Sequence, residues 1–300
     1  MDYADVAAAF MGDPPTTETP DPVEAGSPAR RLRDAIEPIA MHSVWNPRTN
    51  EAWAARGMDF LSGYVWGRAA SLGQPLPEVV VATFAVFEPQ MIAGLYAQGR
   101  AGCDRADLLA DRDRTTIASL TEVLAGEQVE FTADALMAAV RSAPSVGRAL
   151  FSGLAAQSSP TDPTGRLWRA CELLREHRGD THVAACAAEG LGPIGMNILT
   201  ELWVGFGIGE YTSSRGWSEE QISAEIDQLT AKGMLDDGQL TAAGRACRER
   251  LEAQTDVGEQ SIIDALGADL DTHVTALTEW SARCVAAGAF PTDLRKRAAG

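Results

Sequence analysis

The sequence predicts a mainly α protein made of a helical bundle, a winged-helix unit and C-terminal helices. Apolar residues recur at helical rather than alternating spacing from Arg30 onward, and strand patterns are nearly absent from the first half. A cluster of turn residues, Ser158-Ser159-Pro160-Thr161-Asp162-Pro163-Thr164-Gly165, separates two helical stretches and marks a boundary between units. Beyond it, a single hairpin signal at Asp237-Gly238 lies between two helical patterns, and helix, short hairpin, helix is the order of a winged helix.

Taken in order, residues 1–27 hold six acidic side chains, no Lys or Arg, and the proline-rich run Pro14 to Pro22. Such a segment buries too little apolar area to offset its ordering entropy and is expected to be a disordered acidic tail. Its Ala7-Ala8-Ala9-Phe10-Met11 patch reads as a fraying terminus rather than a docking motif. Residues 28–157 read as the bundle. Leu32, Ile36 and Ile39 share one helix face, then Phe60, Leu61, Tyr64 and Val65 another, with Gly63 and Gly67 one turn apart, a notch open to a second helix or a flat ligand. Val79 to Tyr96 is apolar on nearly all sides and holds Pro89, a kink or break, at the centre of the bundle. Leu108 to Leu124 and Phe131 to Leu154 continue the helices.

Residues 166–255 read as the winged-helix unit. Leu167, Ala170, Cys171 and Leu174 form a stripe, Gly179 is expected to end that helix, and Asp180 to cap the next. Gly216-Trp217-Ser218-Glu219-Glu220 opens a helix with an acidic first turn, and Thr241 caps the one after the hairpin. Residues 256–300, with Ile262, Leu266, Leu270, Leu277 and Trp280, read as C-terminal helices packing on the bundle or on a dimer partner.

The stretch from Leu167 to Asp256 resembles an actinobacterial family of largely uncharacterised proteins with a MarR-like helix-turn-helix. Leu167-Trp168-Arg169-Ala170, Leu173 through His182, Arg215-Gly216-Trp217-Ser218 and Leu240-Thr241-Ala242-Ala243-Gly244 carry the likeness. A weaker one runs over Arg33 to Gly73 through Glu37-Pro38 and Gly67-Arg68-Ala69-Ala70. The resemblance implies a helical bundle with a winged helix and carries no activity with it.

Charge argues against nucleic acid. The 300 residues carry a net charge of -17, which repels phosphate backbones. A recognition helix over Ser218 to Lys232 would present Glu219, Glu220, Glu225 and Asp227 against one Lys232, leaving Gln221 and Gln228 for bases and Arg245, Arg248 and Arg250 for a backbone. Five scattered cysteines without a C-x-x-C pair fit small buried hydrophobes rather than disulfides or zinc. No apolar run approaches the roughly 18 residues of a membrane span, and the start lacks a secretory pattern, so a cytoplasmic protein is expected.

Two groups of residues are candidates for chemistry. His177, Asp180 and His182, with Arg178 as an anion clamp, have the composition of a general acid-base set, and helix capping accounts for part of the same cluster. Glu37, His42, Trp45, Tyr64, Trp66 and Arg68 mix aromatic walls with polar groups as small-molecule pockets do, and core packing explains the aromatics equally well. If the pocket lies between the two units, His177 and Arg178 face it. His177 and His182 do not match the spacing of a helical metal site, and no Gly-rich phosphate loop or G-x-S-x-G elbow is present, so neither metal nor cofactor is expected. Three readings remain: a binder of a small apolar or aromatic molecule whose winged unit serves dimerisation or protein contact, an enzyme using the His177 cluster, and a MarR-like transcriptional regulator.

Overall fold

A computed structural model describes residues 26–293 together with 295 and 296. The acidic tail through residue 25, with its Ala7 to Met11 patch, lies outside the described residues. The rest is helical apart from one hairpin. In chain order come α1 (Pro28–Ala40), α2 (His42–Trp45), α3 (Pro47–Ala54), α4 (Phe60–Ala69), α5 (Pro77–Phe84), α6 (Pro89–Gly102), α7 (Arg105–Val123), α8 (Glu130–Ser142) and α9 (Ala149–Ala155). They are followed by α10 (Pro163–Ala188), α11 (Pro193–Trp203), α12 (Glu219–Ala231), the strands β1 (Leu235–Asp236) and β2 (Gln239–Leu240), α13 (Ala242–Gly258), α14 (Gln260–Leu266) and α15 (Leu270–Ala286).

The central element is α10. Asp162 caps it by accepting the Gly165 N–H at 2.7 Å, and Pro163 fills its first position, where no N–H is needed. It then runs 26 residues, roughly 39 Å at the usual rise, without a break. The expected stop at Gly179 is not there. The glycine that ends the helix is Gly190, in the left-handed conformation at φ 72°. Asp180 does not cap its own helix either. Its Oδ2 accepts the Phe151 N–H at 3.1 Å, in the first turn of α9, so the capping chemistry serves a neighbouring element.

Three apolar clusters form around this axis. The first holds Leu167, Trp168, Cys171 and Leu174 of α10 against Leu32, Ile36 and Ile39 of α1, with α8, α14 and α15 closing it. The second gathers Trp53, Leu61, Trp66, Phe84, Ile92 and Tyr96 from α3 to α6. The third is the winged unit, where Ala185 and Cys186 at the end of α10 meet Ile198 and Leu199 of α11, Trp217, Leu229 of α12, both strand leucines and Leu251 of α13. One helix therefore supplies side chains to both the bundle core and the winged core. The C-terminal α15 lies along α1 of the same chain, and Ser281 donates to the Ala35 carbonyl at 2.6 Å.

The wing is as the sequence predicts. Leu235 pairs with Leu240 and Asp236 with Gln239, while Asp237 and Gly238 both take positive φ, the requirement of a two-residue primed turn. Ser218 and Gln221 form a reciprocal capping box on α12, and Thr241 accepts the Gly244 N–H at 3.1 Å to cap α13. The winged unit is fastened to the bundle at Val86, whose carbonyl accepts from Asn197 Nδ2 at 2.8 Å and from Trp217 Nε1 at 2.9 Å.

Elsewhere the chain departs from its pattern. Pro89 breaks rather than kinks the apolar run, because it begins α6 after a tight turn at Ala85 with φ 49°. The run is not wholly central, since Val79 is 45% exposed. The notch at Gly63 and Gly67 is filled by the Trp53 indole of α3: a Cβ on either glycine would meet its ring carbons at 2.5 and 2.7 Å. All five cysteines are buried and free. Among the described residues no single helix is long and apolar enough to cross a membrane.

Because Trp53 lies flat on this notch, Gly63→Ala is expected to lower stability in urea unfolding. Overpacking costs roughly 1 to 3 kcal/mol and outweighs the roughly 1 kcal/mol that alanine gains in a helix.

Candidate functional site

Between the bundle and the winged unit opens a cavity of about 1070 Å³, counting its open mouth. Its floor is α10. With the helix unbroken, Arg175, Arg178, Gly179, His182 and Val183 fall on one face and all line the cavity. Tyr64 and Arg68 of α4 and Phe84 at the end of α5, followed by Val86 and Phe87, form one wall. Met196, Asn197 and Thr200 of α11, then Tyr211 and Arg215, form the other. Arg30 and Arg33 of α1 and Arg248 and Glu252 of α13 close one end.

Gly179 stands out on this floor. Among the described residues, a Cβ built there would have nothing within 4 Å, in contrast to Gly63 and Gly67. Glycine inside a helix costs roughly 1 kcal/mol relative to alanine, and no packing contact at this position offsets that cost. Open space above a mid-helix glycine lets a ligand approach the helix backbone.

The cavity lining is rich in arginine. Arg30, Arg33, Arg68, Arg175, Arg178, Arg215 and Arg248 line it against two carboxylates, Asp180 and Glu252. These guanidiniums are held in place. Arg68 grips Glu176 through two bonds of 3.0 and 2.8 Å and lies 4.8 Å from the Phe84 ring centre. Arg175 pairs with Glu37 at 3.1 Å. Arg215 stacks 4.0 Å over Tyr211 and 4.9 Å over Phe87. Glu252 receives Arg248 at 2.7 Å, Arg178 at 2.9 Å and Arg30 at 3.2 Å. Burial by itself would raise the Glu252 carboxyl, but Arg248, Arg30 and Arg178 together lower it to about 2. The stretch bearing Tyr211 is fixed by the buried Glu201 carboxylate, which accepts the backbone N–H groups of Gly209, Tyr211 and Thr212 at 2.7 to 3.0 Å.

The structure brings together some of the residues singled out from sequence and separates others. Tyr64, Arg68, Arg178, Asp180 and His182 line the cavity. Trp45 lies against Phe60 and Phe290 and faces an adjoining cavity of about 480 Å³, which shares Tyr64, Arg175, Tyr211 and Arg215 with the main one. His42 is buried against Ser119 at 2.9 Å. Trp66 is buried as well, donating to the Cys103 carbonyl at 2.9 Å. His177 points away into the core, fully buried, with Nδ1 2.6 Å from Glu259 and its ring edge-on to Phe151. His177 and His182 therefore do not share a cleft.

His182 is held as a neutral imidazole. The Thr255 hydroxyl donates its proton to the Leu251 carbonyl at 2.7 Å, so its oxygen accepts from His182 Nδ1–H at 3.1 Å, and the unprotonated Nε2 accepts from the Cys186 thiol at 3.6 Å. Burial, reinforced by Arg248, lowers the His182 pKa to about 3, and burial lowers that of His42 to about 4. Such an imidazole is too weak a base for proton transfer near neutral pH. Asp180 moves the other way, as burial pushes its carboxyl up to about 6.

The sequence reading missed Arg30, Arg33, Phe84, Phe87, Arg175, Arg215 and Arg248. A signal existed in α10, where Arg175, Gly179 and His182 are spaced for one helix face, but reading Gly179 as a stop broke the register. Arg248 had been counted among residues able to contact a DNA backbone. It is 2% exposed and belongs to the pocket. Arg250 is exposed and paired with Glu189 at 3.0 Å.

A helix pair followed by a hairpin wing and a further helix defines a helix-turn-helix protein of the winged kind. The chain belongs to the helix-turn-helix family, whose model matches residues 29–291. That match runs from α1 to beyond α15, so the bundle is part of the family unit. No curated protein and no solved structure matches the chain.

Two outcomes follow from this geometry. Gly179→Ala is expected to raise stability by roughly 0.5 to 1 kcal/mol, since the methyl group meets nothing and the helix gains propensity. A histidine whose folded pKa lies below 6.5 contributes stability that is complete above that value and is lost as pH falls toward 4 for His42 and 3 for His182. Each contributes a slope of up to roughly 1.4 kcal/mol per pH unit in that window. Asp180 acts with opposite sign between its ordinary value and about 6, so the comparison is made against a variant. Urea unfolding from pH 7 to 4.5 is expected to show a shallower loss for His182→Gln than for the parent, Asp180 cancelling in the difference.

Proposed function

We propose that this helix-turn-helix protein binds a small molecule in the cavity between its bundle and its winged unit. The observation that carries the reading is Gly179, a glycine in the middle of a long helix with open space above it, on the floor of an aromatic-walled cavity. Clefts at the junction of packed units are the usual home of small ligands. Tyr64, Phe84, Phe87 and Tyr211 supply the apolar surface for a planar molecule.

The winged unit serves a protein contact or dimerisation in this reading. On α12 the exposed residues include Glu219, Glu220 and Asp227, the hairpin tip adds exposed Asp236 and Asp237, and Lys232 follows the helix. Carboxylates on the face that would enter a groove repel phosphates. Membership of a helix-turn-helix family favours a second reading, a MarR-like transcriptional regulator. Retention of genomic DNA fragments by the purified protein at about 0.15 M salt would establish it.

Ligand binding is tested with N-phenyl-1-naphthylamine, an uncharged aromatic dye whose fluorescence rises in apolar surroundings. Saturable binding to the parent and its loss in Gly179→Leu, with unchanged circular dichroism, is the expected result. Equal binding by parent and variant would place the dye elsewhere and sink the reading.

A further inference from the structure

We propose that the ligand of this pocket carries an anionic group, a carboxylate or a phosphate, joined to a planar apolar body, and that Arg248 is one of the residues that hold the anion. The inference rests on the pocket reading above and adds the chemistry of its occupant.

The first observation is the contrast of charge. A chain of net charge -17 has lined this cavity with seven arginines and two carboxylates. The carboxylates of Asp34, Glu37, Glu176 and Asp256 pair with these guanidiniums from outside the lining, which fixes them in position, and with Asp180 and Glu252 they set six carboxylates against seven arginines, a small positive excess whose donors face the cavity ahead of the outer carboxylates. A cationic concavity of low dielectric concentrates anions.

The second observation is independent of the count. Arg248 lines the cavity at 2% exposure, and among the described residues its Nε and Nη1 have no hydrogen-bond partner. Its carboxylate partner, Glu252, is shared with Arg30 and Arg178. Buried donors on a charged group are costly to leave unmatched. An anion lodged beside Arg248 supplies the missing acceptors. The guanidinium plane is already set, because Arg248 and Arg30 lie 4.6 and 5.2 Å from the Trp203 ring centre. The unmatched Nε–H and Nη1–H lie on different edges of this fixed guanidinium, and an oxygen of a carboxylate or phosphate meets either of them in a charge-assisted hydrogen bond. The aromatic walls take the rest of the molecule.

The test compares two dyes that share one ring system. 8-Anilinonaphthalene-1-sulfonate is N-phenyl-1-naphthylamine with an added sulfonate, which stands in for the anion. The full chain is expected to bind the sulfonate dye at least roughly tenfold more tightly than the uncharged one, the effect of one charge-assisted hydrogen bond or more. Arg248→Met is expected to erase that preference by weakening the sulfonate dye far more than the uncharged one. Should that variant fail to fold, Arg30→Met carries the same expectation. Equal affinity for the two dyes, or a preference that survives both variants, overturns the anion inference and leaves the pocket reading standing. Binding of neither dye, or binding unaffected by Gly179→Leu, overturns both. Displacement of the sulfonate dye by 1-naphthoate or by 1-naphthyl phosphate supports the inference and distinguishes the carboxylate from the phosphate. Displacement by neither overturns it.

Discussion

The unbroken path of α10 is the constraint on which the remainder of the structure depends. Its first half supplies Trp168, Cys171 and Leu174 to the bundle core, and its last turns supply Ala185 and Cys186 to the winged core. A helix rigid over this length fixes the distance and orientation between the two cores. The space left between them, over the face carrying Arg175, Gly179 and His182, is the cavity. Were the helix to end at Gly179, the winged unit could turn against the bundle and no defined pocket would exist.

Asp180 ties this helix to its surroundings in a way that explains why Gly179 does not stop it. The carboxylate reaches across to the N-terminal turn of α9. On the other side Arg178 is held by Asp256 at 2.8 Å and by Glu252 at 2.9 Å from α13. With both flanking side chains committed to neighbouring helices, the glycine is kept in helical conformation by contacts that a helix end at this position would break.

Buried charge is the second theme. Guanidiniums and carboxylates at the junction are shared in networks rather than paired one to one, with three arginines converging on Glu252 and two on Glu176. Removing such groups from water is expensive, and the expense is met by several partners for each charge. Networks of this kind define geometry more than they add stability. Here the geometry they define is a lining of fixed arginines under aromatic walls, in a protein whose exposed α12 face and hairpin tip are acidic. The same field silences His182: beside Arg248 and out of water, its imidazole stays neutral, and a residue that sequence reading set among acid-base candidates becomes a hydrogen-bonding part of the wall.

Local patterns determined much of this protein by themselves. The helix periods, the Asp237-Gly238 hairpin and the caps at Ser218 and Thr241 all follow from spacing and residue chemistry that act within a few positions. Tertiary structure decided the rest, because the deciding contacts join residues far apart in sequence. Whether Gly179 ends a helix depended on Asp180 meeting Phe151, and whether the Gly63 and Gly67 notch was open depended on where Trp53 came to lie. His177 was drawn into the core by Glu259, 82 positions away. The arginines that line the cavity come from four helices and a connecting segment, and single-residue patterning has no means of bringing them to one place.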